Sequence, residues 1–446
     1  MTGKTHDVAV VGASIAGCTA AILLAREGAR VALIERHSDP NAYKALCTHF
    51  IQPSAVPTME RLGLLPLIEA AGAVPNEIDV WTRWGWVRTP EGASHGYNIR
   101  RETLDPMLRR LASETPGVDL MPGQMAFRLL REDGDENGRI SGVAIRDRAG
   151  ETQEISARLV VAADGRDSKM ARLASVPSKS RPNNRFVYFA YYRNLHTVSG
   201  KRSQMWLLEP DTAYTFPNDD GVTLLTCLPA KQKLPAFKKD LEGSFERFFE
   251  GLPEGPRLAG AERVSKVMGA TNLVNRSRPA SVDGLAFVGD AALWSDPLWG
   301  VGCGWAFQSA EWLADETASA LANGGDLHEA LARYRDKHRK KLSGHQRIIS
   351  DFSAANSYTP VERLMFSAAA RDEQSARHFH AFGSRLVGVR EFLAPRAVAR
   401  ALFVNVRHAA GRLNGRGTER SEKALAGRVA YVNTIGTSKP GEEKAR

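Results

Sequence analysis

The spacing of apolar residues changes several times along the chain, and each change marks an element. Val8, Val10 and Val11 form a short apolar run of the fully buried strand type; the Ala/Leu-rich IAGCTAAILLAR has helical spacing, and VALIE reads as a second buried strand ending on Glu35. A loop from Arg36 to Pro57 leads into the helical MERLGLLPLIEAAGA. From Ile78 to Ile99 the pattern alternates, with Trp81, Trp84 and Trp86 close together, which predicts β-structure. Helix returns at RRETLDPMLRRLASE, EDGDENG is a turn, and EISARLVVAAD is a buried strand. Between Asn184 and Pro229 the segments FVYFAYYRNL, QMWLLE, AYTFP and VTLLTCLP alternate around the hairpin turn PNDDG, predicting a second, antiparallel sheet. After a helical patch near Phe245, LAFVGD re-enters the first sheet. From about Leu327 the chain is amphipathic helix with a basic run, RYRDKHRKK, and a polar tail, TSKPGEEKAR, that predicts disorder. No internal repeat is found.

The stretch Asp7 to Glu35 has the spacing of a dinucleotide-binding βαβ unit. Gly12 makes the turn, Ala13 and Ser14 stand where backbone must approach a pyrophosphate, and Ile15, Ala16 and Gly17 open a helix lying against the strand. Free N–H groups at that helix end hold phosphate, and Glu35 is placed to accept from ribose hydroxyls while disfavouring a 2′-phosphate. Ser14 replaces the usual second glycine, and a plain βαβ without ligand is the competing reading. The fold class expected is α/β: a Rossmann-like dinucleotide-binding domain, with an inserted antiparallel sheet and a helical C-terminal region. The expected boundaries are 1–77, 101–180 and 276–326 for the first domain, 78–100 and 181–275 for the second, and 327–446 for the helices.

Charge and cysteine content narrow the setting. Lys plus Arg number 60 against 50 for Asp plus Glu in 446 residues, a net charge of +10. Much of the excess lies late in the chain and reads as a solvated surface, with no nucleic acid implied. Cys18, Cys47, Cys227 and Cys303 are far apart without a CxxC pair, which suggests neither metal nor disulfide framework and fits a reducing compartment. With the first strand beginning at Asp7 and no apolar run of transmembrane length, a cytoplasmic protein is expected.

Two later motifs indicate which dinucleotide binds. In ARLVVAADGRDSKMARLA a strand ends at Asp164-Gly165 and Ser168 caps a short helix. In LAFVGDAALWSDPLWGVGCGWAFQSAEWLAD, a strand delivers Gly289-Asp290, a loop runs through Asp296-Pro297, and glycines at 300, 302 and 304 precede a helix expected near Trp305. With GASIAG, these three motifs resemble, in order and spacing, the FAD-dependent monooxygenases of the para-hydroxybenzoate hydroxylase type, relatives of flavin epoxidases, halogenases and geranylgeranyl reductases. The resemblance covers about the first 325 residues. By position it implies ADP-binding roles for Gly12, Ser14, Gly17, Glu35 and Arg36, and a pyrophosphate contact for Arg101. It implies FAD and nicotinamide contacts for Asp164 and Gly165, a ribityl contact for Asp290, and a loop beside the isoalloxazine for Pro297, Gly300, Val301, Gly302, Cys303 and Gly304. The family's histidine after GDAA is Leu293 here, its Pro-Pro is Asp296-Pro297, and Trp299 and Trp305 replace smaller residues.

The activity so implied is reduction of FAD by transiently bound NAD(P)H, capture of O₂ as a flavin C4a-hydroperoxide, and hydroxylation or epoxidation of an apolar or aromatic small molecule. Candidates for the substrate pocket are Trp81, Trp84, Trp86, Tyr97, Met205, Trp206, Tyr214, Phe216 and Trp299, each of which also fits as core packing. Arg83 could pair with a substrate anion, and His49 could act as a base toward a phenol. Rival readings are a geranylgeranyl-type reductase of isoprenoid double bonds, a flavin-dependent halogenase, and a flavin-binding module without enzymatic activity.

Overall fold

A strand that is apolar on both faces is stable only where both faces are covered, and β1 (Lys4–Val11) accordingly runs through the middle of the larger sheet. The structure, a computed structural model, describes residues 4–135, 138–355 and 357–413. The tail TSKPGEEKAR and two residues of the EDGDENG turn lie outside the described residues. After β1 come α1 (Ile15–Arg26), β2 (Val31–Glu35), α2 (Arg101–Glu114), β3 (Val118–Pro122), β4 (Thr152–Ala162), β5 (Leu285–Phe287) and α3 (Val301–Asn323). The five strands are parallel in the order β5-β4-β1-β2-β3, and Val8 stands opposite both Val31 and Leu159. Two antiparallel strands, Ile140–Arg146 and Met125–Arg131, extend from β4. All five parallel strands end at one edge of the sheet, which is where open α/β sheets form their ligand crevice.

The second sheet carries Ile78–Thr82, Gly85–Val87, Val187–Arg193, Ser203–Leu207, Thr212–Pro217 and Thr223–Leu228. Its pairings are antiparallel except that Ser203–Leu207 runs parallel to Ile78–Thr82, so the early tryptophan segment joins a strand 125 residues later in the chain. One face of this sheet packs on the main core. The other forms a separate core with Phe245, Phe248 and Phe249 of the helix Leu241–Glu250.

Four longer helices follow: α4 (Leu327–Ala355), α5 (Pro360–Ala369), α6 (Glu373–Gly383) and α7 (Pro395–Leu413). α5 opens on a capping box in which Thr359 and Glu362 satisfy each other's backbone N–H groups. Phe366 of α5 and Phe379 and Phe382 of α6 pack around Trp299, so these helices cover the loop before α3. Among the described residues no helix is long and apolar enough to cross a membrane.

Candidate functional site

The turn between β1 and α1 is shaped by what glycine lacks. Gly12 has φ +106°, and a Cβ there would stand 2.6 Å from the carbonyl oxygen of Ala163; at Gly17 a Cβ would stand 1.7 Å from that of Gly12. The helix is therefore pressed on the turn, and the turn on the end of β4. Ala13, Ile15 and Ala16 are buried behind it. Glu35 closes the turn, accepting from Ala13 N–H at 2.8 Å and His37 N–H at 2.9 Å. A carboxylate has about four acceptor sites, which leaves capacity for ribose hydroxyls. Arg36 is exposed and donates to the His37 ring.

α2 presents three charges to this turn from one face. Arg101, Asp105 and Arg109 are spaced four apart and all are buried. Arg101 donates to Asp105 at 2.7 Å and to Ser14 Oγ at 2.5 Å. Arg109 donates to the carbonyls of Ala13, Pro40 and Ala42, holding the loop after β2 against the Gly-rich turn. Burial, the largest single influence, would lower the Arg101 guanidinium, but Asp105 together with Cys47 and Cys303 keeps it above its ordinary value. The loop continues across the crevice: Lys44 N–H donates to Asp105 at 3.0 Å, and Lys44 Nζ reaches Asp290 at 2.7 Å. The Asp290 carboxylate raises the Lys44 ammonium. The signal for Asp105 and Arg109 was present in RRETLDPMLRR as an i, i+4, i+8 series; Lys44 carried none.

The three sequence motifs meet here. A Cβ on Gly12 would lie 3.4 Å from Asp164 Cα, and one on Gly289 would lie 3.0 Å from Ala16 Cβ. Asp164 accepts from Met170 N–H through Oδ2, while its Oδ1 is buried without a partner; Gly165 has φ +81° and faces open space. α3 starts at Val301 rather than near Trp305, because Gly300 at φ +60° completes the turn and Gly302, Cys303 and Gly304 then continue as the helix's first turn. Its N-cap makes no side-chain bond. Pro297 accepts from Gly300 N–H and, at 3.4 Å, from Tyr214 Oη. Asp296, unused in the sequence reading, is fully buried against Arg185 and anchors this loop to the second sheet.

His49 is held from both sides. It is 2% exposed, its Nδ1 accepts from Arg101 N–H at 3.0 Å, and its Nε2 then carries the proton and faces Tyr191 Oη at 2.5 Å. Both ring nitrogens are engaged, so it positions the start of α2.

A small apolar cleft, with room of about 20 Å³, opens between the second sheet, Phe50, the Trp299 loop and α6. Phe50, Val80, Met205, Trp299, Phe379 and His380 line it. Burial lowers the His380 imidazole to about 4, so it is neutral. Trp299 holds φ +64°, unusual for a bulky residue, and Gln52 ties it down: Gln52 Nε2 donates to the carbonyls of Trp299 at 3.0 Å and Gly383 at 2.7 Å. Tyr214 and Phe216 stack on each other one layer behind, with Phe216 against Phe50. The structure does not bring Trp81, Trp86 and Trp206 to the cleft. They pack on the opposite face of the sheet, where Trp206 is fully buried and donates to Pro253 O, because side chains alternate along a strand and Met205 takes the inner position. Trp84 packs under Arg83, Arg83 pairs with Glu209 at 3.2 Å, and Tyr97 is tied to Glu69 on a small separate sheet. Among the described residues no cluster of side chains could hold a metal ion.

The nucleotide edge fits FAD on its own terms: two glycines let the turn before α1 close tightly with bare backbone, Asp164 has an unpaired buried oxygen, and the long helix α3 begins with no side-chain cap. Comparison with known proteins agrees. Residues 5–343 match the family model described as FAD binding domain. The chain is 28% identical over 347 residues to digeranylgeranylglycerophospholipid reductase 2 of Methanothermobacter thermautotrophicus, covering 76% of this chain and 84% of that protein. It is 26% identical over 326 residues to squalene epoxidase 1 of Arabidopsis thaliana, covering 68% and 57%. A solved myxobacterial chondrochloren halogenase superposes with a TM-score of 0.69 at 20% identity, covering 87% and 99%, a likeness of fold.

Proposed function

The chain belongs to the FAD binding domain family and is an FAD-dependent oxidoreductase, and from that premise we propose that it is a monooxygenase that hydroxylates or epoxidises an apolar, unsaturated or aromatic small molecule with NAD(P)H and O₂. The observation that carries this reading is the small apolar cleft, lined by the second sheet, Phe50 and α6 and bordered by Trp299 of the loop 289–304. Bound FAD supplies the two-electron chemistry between nicotinamide and dioxygen. The residues do the rest. The Gly12–Gly17 turn, Glu35, Arg101, Asp164, Asp290 and the loop through Pro297, Gly300 and Val301 hold the dinucleotide. Phe50, Val80, Met205, Trp299 and Phe379 take the substrate and exclude water from it. Neutral His380 adds no charge to that wall.

A reductase acting on isoprenoid double bonds is the second reading. What favours it is the similarity to a digeranylgeranylglycerophospholipid reductase over most of both chains. One experiment separates the two. The FAD-loaded protein is given NADPH or NADH and an unsaturated isoprenoid, with and without air, and products are weighed by mass spectrometry. Gain of one oxygen atom per product, in air only, supports the monooxygenase. Gain of two hydrogens without air overturns it in favour of the reductase, and bromide- or chloride-dependent halogen incorporation overturns both.

A further inference from the structure

Two cysteines that the chain separates by 256 residues meet beside the nucleotide edge: Cys47 Sγ and Cys303 Sγ stand 3.7 Å apart. Cys47 sits in the loop that crosses the crevice, and Cys303 in the first turn of α3. Cys47 is surrounded by donors. His49 N–H points at its sulfur from 3.3 Å, and the Arg101 guanidinium lies 4.0 Å away. It is partly exposed, whereas Cys303 is 6% exposed. We propose that Cys47 and Cys303 form a peroxide-reactive dithiol that closes to a reversible disulfide, stapling the crossing loop to the start of α3.

The chemistry follows from that asymmetry. The hydrogen bond from Cys303, helped by His49 N–H, holds the Cys47 thiol well below its ordinary range, while Cys303, bonded to Cys47 and buried, is pushed well above it. Cys47 is thus the thiolate and Cys303 the resolving thiol. The Cys47 sulfur attacks hydrogen peroxide; an S–O bond forms, the O–O bond breaks, and hydroxide leaves to be protonated to water. The Cys303 sulfur, losing its proton, then attacks Cys47; the S–S bond forms and the oxygen leaves as a second water. Each sulfur gives up one electron, and one peroxide is reduced to two waters. The sulfurs, 3.7 Å apart, must approach to about 2 Å, a closure of under about 2 Å. Cys18 and Cys227 cannot compete, since both are fully buried and burial pushes their thiols up.

The test uses the FAD-loaded protein, treated with hydrogen peroxide, blocked by alkylation and digested. The expected result is a Cys47–Cys303 linked peptide that dithiothreitol removes, with Cys18 and Cys227 alkylated only after unfolding. In Cys303→Ser, oxidation is expected to stop at a Cys47 sulfenic acid trapped by dimedone; in Cys47→Ser, Cys303 is expected to stay reduced. Should either variant fail to fold, alkylation of the unchanged protein decides, with Cys47 reacting at least about tenfold faster than Cys227. Absence of the linked peptide, or equal reactivity of Cys47 and Cys227, overturns the proposal.

Discussion

The nucleotide edge and the helical cover treat buried charge in opposite ways. At the edge, charges are kept and paired: Arg101 with Asp105, and Arg185 with Asp296 where the loop 289–304 meets the second sheet. Under the cover they are suppressed. Burial lowers His338, His345 and His380 to about 4 each, and lowers Arg385, whose partners are the side-chain oxygens of Gln52 and Gln308, to about 9. A pair that stays ionised fixes backbone positions, which suits a site that must meet a rigid, charged cofactor. Neutral His380 and the aromatic rings beside it make a wall without charge, of the kind that suits an apolar ligand. The contrast also locates sensitivity: the edge is vulnerable to loss of a partner, the cover to protonation and to volume.

The largest effect is expected at the edge. Asp105→Asn leaves Arg101 buried without its counter-charge and is expected to cost about 3–5 kcal/mol, read by urea unfolding of the FAD-saturated protein, together with loss of bound flavin. A cost under about 1 kcal/mol would show that the pair is not what holds α2 to the turn. In the cover, Gly383→Ala places a Cβ 2.8 Å from the Trp299 ring. Overpacking of that kind is expected to cost about 1–3 kcal/mol and to shift tryptophan emission; a neutral result would mean the cover yields easily above the cleft.

The gentlest test is pH. The three imidazoles have folded values depressed from 6.5, so the stability they bring is complete above 6.5 and falls as pH drops toward 4. Between pH 6.5 and 5, above the carboxylate range, each is expected to withdraw about 1 kcal/mol per pH unit. Stepped-pH urea titrations check this, and His380→Phe should flatten the slope by one imidazole's share. An unchanged slope would place the pH sensitivity outside the cover.

Legibility follows the same division. Gly12, Gly17 and Glu35 were readable because a turn that excludes Cβ atoms imposes residue types at fixed short spacing. The buried series Arg101, Asp105 and Arg109 lay open in the helical period but was recognised only at Arg101. The tryptophan-rich segment was read by composition, and strand parity, which points Met205 and Trp206 to opposite faces, was not applied. Nothing local to His49 reveals that Arg101 N–H and Tyr191 Oη engage its two nitrogens. The helix start was placed late because three alternate glycines read as loop, while only Gly300 takes a left-handed conformation.

By itself the sequence determined the parallel sheet, the Gly-rich turn, the identity of the cofactor family and the existence of a second sheet, since each depends on periods and spacings within a few tens of residues. Only the tertiary structure decided which aromatic residues face the cleft, that the C-terminal helices close it, that Lys44 reaches Asp290, and that Cys47 meets Cys303. Those contacts join segments far apart in the chain, and their partners are chosen by packing and desolvation rather than by any local preference of the residues concerned.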